Sequence, residues 1–71
     1  MSESGLTNIR IVLVEPAGAL NIGSIARIMK NMELHDLVLV NPQCDHLSQE
    51  ARQMAVHAGD VLAAAVVVPN L

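Results

Sequence analysis

The 71-residue sequence contains no Phe, Trp or Tyr and only one cysteine, Cys44. Without large aromatic side chains, a small core must be filled by aliphatic residues and methionine. A single cysteine excludes an internal disulfide, so no covalent cross-link compensates for the small size of the chain. A free thiol is typical of a reducing compartment and therefore favours a cytoplasmic protein.

Positive charge is also scarce, because four Lys and Arg stand against seven Asp and Glu, which gives a net charge of −3. A self-sufficient nucleic-acid surface needs clustered basic residues, so a protein of this kind that acts on RNA must carry basic surface elsewhere. The N-terminus lacks the basic and apolar regions of a signal peptide. The longest apolar run, residues 61–68, is far shorter than the roughly 20 residues of a membrane span.

The rest of the chain consists of aliphatic runs typical of strands and of segments whose apolar residues recur at helical spacing. Residues 1–8 are small and polar and predict a flexible N-terminus, whereas residues 9–71 predict strands at 9–16, 35–42 and 65–68 with helices between them. The order β-α-β-α-β favours a parallel α/β sheet with right-handed crossovers. Such sheets usually have helices on both faces and more than three strands. We therefore expect the N-terminal portion of a larger domain, or alternatively a small domain that oligomerises.

The first predicted helix covers NIGSIARIMKNM, residues 21–32, after a loop AGAL, with Asn21 as a candidate N-cap. The stripe predicted to face the sheet consists of Ile22, Ile25, Met29 and Met32. Ser24, Arg27 and Asn31 fall on the opposite side. The second helix is expected to start at Ser48 and Glu50 and to stop at Gly59. Its predicted inward stripe consists of Leu47, Ala51, Met54 and Ala58.

Candidate functional residues lie where the first strand ends and the first helix begins, because open α/β sheets bind ligands beyond the carboxyl ends of their strands. Free N–H groups at a helix start attract phosphate, and Gly23 permits close approach of another backbone or a ligand. The Arg27 guanidinium suits a phosphate or a ribose hydroxyl. Taken singly, Asn21 is an ordinary cap, Gly23 a packing glycine and Arg27 a solvated cation, while Glu15 is undecided.

A metal or nucleophile site is a weaker interpretation of the cluster Cys44, Asp45 and His46. Even with His35 and His57 added, the spacing matches no structural zinc pattern. A Cys-His nucleophilic pair has equally little support, since neighbours in sequence need not face each other. We therefore predict no metal.

Residues 11–42, IVLVEPAGALNIGSIARIMKNMELHDLVLVNP, resemble the N-terminal part of the SpoU (TrmH-like) RNA ribose methyltransferases of the SPOUT superfamily. Within that family they are most similar to the TrmJ type, which methylates a ribose 2′-hydroxyl in tRNA. The resemblance rests on VEP, on Asn21, Gly23 and Arg27 in NIGSIAR, and on KNM and LVLVNP. The later EARQMAVHAGDVL is similar to the family's second helix region, so the resemblance covers residues 9–71.

This resemblance implies an α/β-knot fold, a homodimer, an RNA substrate (tRNA or rRNA) and S-adenosylmethionine as methyl donor. Arg27 would then bind the RNA backbone or help to activate the ribose hydroxyl, and Asn21 would position the loop or the substrate. Glu15, Gly23 and Ser24 complete the expected RNA-binding set. Because a guanidinium keeps its proton at physiological pH, we favour positioning and charge stabilisation by Arg27 over proton abstraction.

Two departures from the family pattern qualify these expectations. Glu33 stands where the family usually has glycine after the first helix, a position where a left-handed backbone is expected to cost a glutamate about 1 kcal/mol. The motifs that build the knot and hold the donor are expected beyond Leu71, so this segment alone is expected to be inactive and to hold no cofactor. Two alternatives stay open: a non-catalytic α/β interaction module, or a phosphate-binding fragment of another α/β enzyme.

Overall fold

The computed structural model describes residues 9–70. Its elements, in chain order, are β1 (Arg10–Val14), α1 (Ala19–Asn31), β2 (Asp36–Val40), α2 (Gln49–Ala55), α3 (Gly59–Ala63) and β3 (Val66–Val68). The predicted α/β order is confirmed, except that the second helical region is divided into α2 and α3. The flexible N-terminus predicted for residues 1–8 lies outside the described residues.

The three strands form one parallel sheet in the order β1-β2-β3. The strands have the same order in the sheet as in the chain. Right-handed crossovers therefore place both helical connections on the same face of the sheet. On that face Leu37 and Leu39 of β2 are buried. The core consists of Ile22, Ala26, Met29, Leu34, Leu37, Leu39, Ala51, Ala55, Ala58, Val61 and Leu62. Aliphatic side chains thus fill the core, as the lack of aromatics requires.

The other face of the sheet carries valine at every position of two cross-strand rows. The register pairs Val12 with Val38 and Val38 with Val66 in one row. The second row consists of Val14, Val40 and Val68. Because side chains alternate between the faces of a strand, both rows lie on the face without helices. Val12 and Val14 are 43% and 57% exposed, although parallel sheets normally have both faces covered.

Helix α1 begins two residues earlier than predicted. Gly18 is its N-cap, and the Gly18 carbonyl accepts the N–H of Ile22 at 3.1 Å. Asn21 is therefore the third helical residue, and its prediction as the N-cap is wrong. The predicted stripe is also corrected at its far end, because Met32 lies beyond the last helical residue and is 49% exposed. Ala26 is fully buried instead.

The C-terminus of α1 has the hydrogen bonds of a Schellman motif. The N–H of Leu34 donates to the carbonyl of Met29 at 2.8 Å, and the N–H of Glu33 donates to that of Lys30 at 3.1 Å. Leu34 and Met29 are both buried, which supplies the apolar contact of this motif. Glu33 has a φ of 61°, so the left-handed backbone predicted at this position is confirmed.

Helix α2 begins as predicted, with the Ser48 hydroxyl accepting the N–H of Ala51 at 3.2 Å and Glu50 in the first turn. It ends earlier than predicted, at Ala55, and Gly59 is the first residue of α3 rather than a helix stop. The predicted inward stripe is corrected at both ends of α2. Leu47 and Met54 are 47% and 38% exposed, and Ala55 is buried in their place.

A tight turn separates α2 from α3. Val56 has φ 59° and ψ −104°, and the N–H of Ala58 donates to the carbonyl of Ala55 at 3.0 Å. These values are typical of the second residue of a type II′ turn, a position dominated by glycine. A β-branched residue with this backbone is an outlier. The turn is therefore strained at Val56, and it carries His57 at its tip.

Candidate functional site

The carboxyl ends of β1 and β2 are built alike. Glu15 and Asn41, which follow these strands and precede Pro16 and Pro42, have positive φ angles of 52° and 46°. The N–H of Glu15 donates to the carbonyl of Val40 at 2.7 Å, and the N–H of Asn41 makes the matching bond across to β3. The backbone hydrogen bonds between the strands therefore continue one residue past the end of each strand. They hold the exposed Glu15 at this edge of the sheet.

Cys44 belongs to the loop that follows β2 and contacts the loop that follows β1. Its Sγ lies 3.6 Å from the carbonyl oxygen of Pro16, and the N–H of Gln43 donates to the same oxygen at 2.8 Å. The two loops that border the carboxyl edge are therefore joined. Within residues 9–70, the structure brings together no group of three or more His, Cys, Asp or Glu side chains that could hold a metal.

Asn21 and Arg27, the two predicted catalytic residues, are both exposed on α1 but do not share a face. They are six residues apart, which corresponds to about 240° around a helix. The side chain of Asn21 folds back over the preceding loop, since its amide nitrogen lies 3.2 Å from the point where a Cβ on Gly18 would stand. Asn21 is thus placed to hold that loop, whereas Arg27 faces a different region.

Gly23 is buried where α1 meets α2. A Cβ at this position would stand 2.3 Å from the carbonyl oxygen of Ala51 and 2.8 Å from Cβ of Met54. Of the two alternatives that the sequence left open for Gly23, the structure shows close approach of another backbone. Its place in the molecule is therefore in the packing of α1 against α2, where it is buried.

Ser24 is half-buried and lies in a row of residues spaced four apart that begins on α1 and ends at Met32, just beyond the helix. The row consists of Leu20, Ser24, Ile28 and Met32. The three apolar members are 52%, 56% and 49% exposed, and residues at this spacing form one continuous stripe on a helix. The immediate surroundings of Ser24 are therefore apolar.

Arg27 lines a groove of about 250 Å³ between α1 and the α2–α3 turn. Helix α1 contributes Arg27, Lys30 and Asn31, and the turn contributes residues 55–58, including His57. Sequence reasoning missed Lys30 and His57 as members of this site. The spacing of Lys30 from Arg27 was the available signal for one of them, whereas His57 joins the groove only because α2 stops at Ala55.

An ion pair fixes Lys30 at the edge of the groove. Its Nζ lies 2.6 Å from Oδ2 of Asp60, at the start of α3. The hydrogen bond from Lys30 lowers the pKa of Asp60 below its usual value, with a smaller contribution from the N–H of Val61. The pair is exposed, so solvent screens it. It nevertheless joins α1 to α3 on one side of the groove.

The segment has a parallel α/β arrangement, with candidate polar residues after β1 and a groove beside the first helix. The profile of the SpoU rRNA Methylase family matches residues 8–71. The chain therefore belongs to this family, and the predicted family resemblance is confirmed.

Individual relatives agree with this assignment. The chain is 50% identical over 66 residues to the tRNA (cytidine/uridine-2′-O-)-methyltransferase TrmJ of Pectobacterium atrosepticum, covering 93% of this chain and 27% of that protein. It is 39% identical over 62 residues to the tRNA (cytidine-2′-O-)-methyltransferase TrmJ of Sulfolobus acidocaldarius, covering 87% of this chain and 26% of that protein.

Solved structures agree as well. The crystal structure of TrmJ from Z. mobilis ZM4 superposes with a TM-score of 0.82 at 40% identity, covering 87% of this chain and 28% of that one. The chain thus has the fold of the corresponding part of that protein. It spans about a quarter of the length of the curated relatives named above. In the part of the chain that the structure describes, none of the helices is long and apolar enough to cross a membrane.

Proposed function

We propose that the protein carrying this segment is an RNA 2′-O-ribose methyltransferase whose substrate is tRNA. The observation that carries this proposal is the 50% identity to the Pectobacterium tRNA methyltransferase, which extends over 66 residues. The free thiol of Cys44 is consistent with a cytoplasmic enzyme. This segment contributes the substrate side of the site rather than the whole of it.

Arg27 carries the main role in this proposal. Its side chain is exposed and borders the groove, so its planar fork can hold an RNA phosphate or ribose oxygen in position. Orienting the reacting oxygen removes much of the entropic cost of a two-molecule reaction. A guanidinium that stays protonated also stabilises negative charge that develops on the 2′-oxygen. Positioning and charge stabilisation are therefore the functions we assign to it.

The remaining candidates support Arg27 from different places. Asn21 folds over Gly18 and so fixes the loop between β1 and α1, and Glu15 lies at the start of that loop, at the edge of the sheet. Gly23 brings α1 against α2 and thereby sets the position of Arg27 one turn further along. Ser24 is the half-buried polar member of the row on α1, where it can contact RNA or a protein partner.

S-adenosylmethionine is the methyl donor that this proposal requires, and the groove beside α1 does not fit it. The donor carries a sulfonium cation, whereas the groove is lined by the cations Arg27 and Lys30. The groove of about 250 Å³ is also smaller than the roughly 300–1,000 Å³ of pockets for ligands of drug size. We therefore assign the donor site to a part of the enzyme outside this segment.

We further propose that the enzyme is a homodimer. The exposed row on α1 supports this, because three large apolar side chains with a small serine among them form a stripe suited to packing against a second helix. Substituting Ile28→Asp should shift the sedimentation coefficient of the full-length protein from that of a dimer to that of a monomer. A dimer that persists in this variant would exclude α1 as the contact.

The substitution Arg27→Ala in the full-length protein tests the function. We expect methyl transfer to an unmodified tRNA transcript to fall at least about 100-fold, as when a charge-stabilising donor is removed from an active site. Binding of S-adenosylmethionine, measured by calorimetry, should not change. The matched control is Arg52→Ala, which removes an exposed arginine of α2 outside the groove. Equal rates in the two variants would contradict the role of Arg27.

A further inference from the structure

We propose that the groove between α1 and the α2–α3 turn holds one unpaired base of the substrate RNA, stacked against His57 and Arg27. This inference rests on the proposed function and adds to it the way in which a nucleotide is recognised. The groove brings together Arg27, Lys30 and Asn31 from α1 with His57 from the turn.

The lack of aromatic residues restricts which side chains can stack on a base. Proteins that read single-stranded RNA stack the bases on Phe, Tyr, Trp or His rings or on Arg guanidinium planes. This chain contains no Phe, Trp or Tyr, so its planar groups for stacking are three histidines and its arginines. The groove is lined by one member of each kind, Arg27 on the helix and His57 on the turn.

The turn that carries His57 is strained in a way that favours a binding role. Val56 holds a backbone conformation typical of glycine, and the turn is closed by the bond from Ala58 to Ala55 at 3.0 Å. Such strain persists only where the surrounding structure fixes it, and it is concentrated at ligand sites. Here Ala55 and Ala58 are both buried in the core, and His57 is exposed between them. The core thus fixes the turn while its tip stays accessible.

The charges around the groove are compatible with a neutral base. Lys30 is already paired with Asp60 at 2.6 Å. Helices α1 and α2 both end beside the groove, and helix C-termini carry partial negative charge. These terms offset much of the positive charge of Lys30 and leave Arg27 as the main cation of the groove. A neutral base meets no electrostatic penalty there, and the planar guanidinium of Arg27 can stack on its face.

Size and hydrogen bonding agree with a single base. The groove of about 250 Å³ lies below the range of pockets for ligands of drug size, so it suits one base rather than two stacked nucleotides. Asn31 lines the same groove and its amide offers both a donor and an acceptor. That combination can pair with the edge of a base and can contribute to the choice of nucleotide.

The test uses the full-length protein with an unmodified tRNA transcript. Substitution His57→Ala should weaken RNA binding about tenfold, within the range measured for loss of one stacked base. The effect should appear mainly in KM, with kcat changed less. Substitution His57→Phe keeps a planar ring and loses the imidazole nitrogens, so it should restore binding. The control is His35→Ala, which removes an exposed histidine outside the groove.

The outcomes separate this inference from the proposed function. Equal RNA binding by the His57→Ala and His35→Ala variants would overturn the inference while leaving methyl transfer in place. Failure of His57→Phe to restore binding would likewise overturn stacking and indicate a role of the ring nitrogens. If the unaltered protein methylates no RNA, the proposed function fails instead. Melting temperatures of the variants should match, since His57 is exposed.

Discussion

The two ends of the contact between α1 and α2 differ sharply, although they lie only one helical turn apart. At Gly23 the helices touch backbone to backbone, with 2.3 Å between an added Cβ and the carbonyl oxygen of Ala51. At Arg27 they have separated and enclose a groove of about 250 Å³. Because Gly23 has no side chain, α1 can pack directly against the backbone of α2. Because α2 ends at Ala55, the groove beside Arg27 is open.

The same comparison shows how the chain uses glycine. At the packed end, Gly23 supplies space and has an ordinary helical backbone. At the open end, Val56 has a positive φ angle, which glycine would adopt readily. This holds for all described residues, since the positive φ angles belong to Glu15, Glu33, Asn41 and Val56 and none to glycine. Glycine in residues 9–70 thus serves close approach and not unusual backbone geometry.

The largest effect is expected when the packed end is broken by Gly23→Ala. The added methyl group collides with the backbone of α2, and overpacking of this kind costs about 1–3 kcal/mol or more. The gain in helix propensity of at most about 1 kcal/mol does not offset a collision with backbone atoms. We expect a net loss of about 2 kcal/mol in the free energy of unfolding, measured by urea denaturation.

Gly59→Ala is the control for that substitution. Gly59 is helical, its φ is negative and an added Cβ would meet no atom within 4 Å. The variant should gain about 0.5–1 kcal/mol in stability. If both alanine variants gained stability, helix propensity rather than close packing would govern position 23.

The second effect concerns the open end and has the opposite sign. Val56→Gly relieves a backbone conformation that costs a residue with a side chain about 1–3 kcal/mol, less the extra entropy that glycine loses on folding. We expect a net gain of about 1 kcal/mol in thermal unfolding experiments. Val66→Gly, which removes an exposed valine from β3 where φ is negative, should destabilise instead. A loss of stability in both variants would show that the turn is not strained.

A smaller gain is expected from Glu33→Gly at the C-terminus of α1. Glu33 occupies the left-handed position of a Schellman motif with φ 61°, where glycine avoids a cost of about 1 kcal/mol. Part of that gain is lost to chain entropy, so the melting temperature should rise by a few degrees at most. Glu50→Gly in the first turn of α2 should lower it, and equal shifts would argue against the left-handed backbone.

The smallest effect is a pH dependence at the edge of the groove. The pKa of Asp60 is lowered by its hydrogen bond with Lys30, so the unfolded chain takes up the proton first as the pH falls. The stabilisation is therefore complete above the ordinary carboxyl value near 4 and disappears as the pH drops through the folded value below it. Asp60→Asn should flatten the melting temperature over this interval, and added salt should do the same in the unaltered chain.

The sequence predicted the layers of the fold better than the ends of its elements. The order of strands and helices along the chain followed from aliphatic runs ended by proline and from the helical spacing between them. The end of α2 could not be predicted, because nothing in the sequence AVHAG indicates that Val56 takes the strained backbone conformation of a tight turn. Gly59 was predicted to stop this helix, but the helix had already ended at Ala55 and Gly59 begins the next one. Asn21 was assigned as a cap although the backbone of Gly18 starts the helix without a side chain.

The candidate site was predicted in part. Arg27 was identified through its place after the first strand, and the structure puts it in a groove. Its neighbours there depend on long-range packing, because His57 reaches the groove through the close approach of α1 and α2 and the early end of α2. Asn21 and Arg27 were both predicted as catalytic residues, but the helical rotation between them places the two side chains over different parts of the surface.

The valine rows on the open face of the sheet leave the alignment of the strands ambiguous on that face. Sliding β1 by two residues along β2 would again set valine against valine, so these rows hardly discriminate between registers. The Arg10–Asp36 ion pair belongs to the same face, joins directly opposite residues and has a length of 2.9 Å. A two-residue slip would separate these charges and place one of them beside valine. The pair thus favours one register of β1 against β2. Its contribution lies in the specificity of that register more than in the small stabilisation from an exposed ion pair.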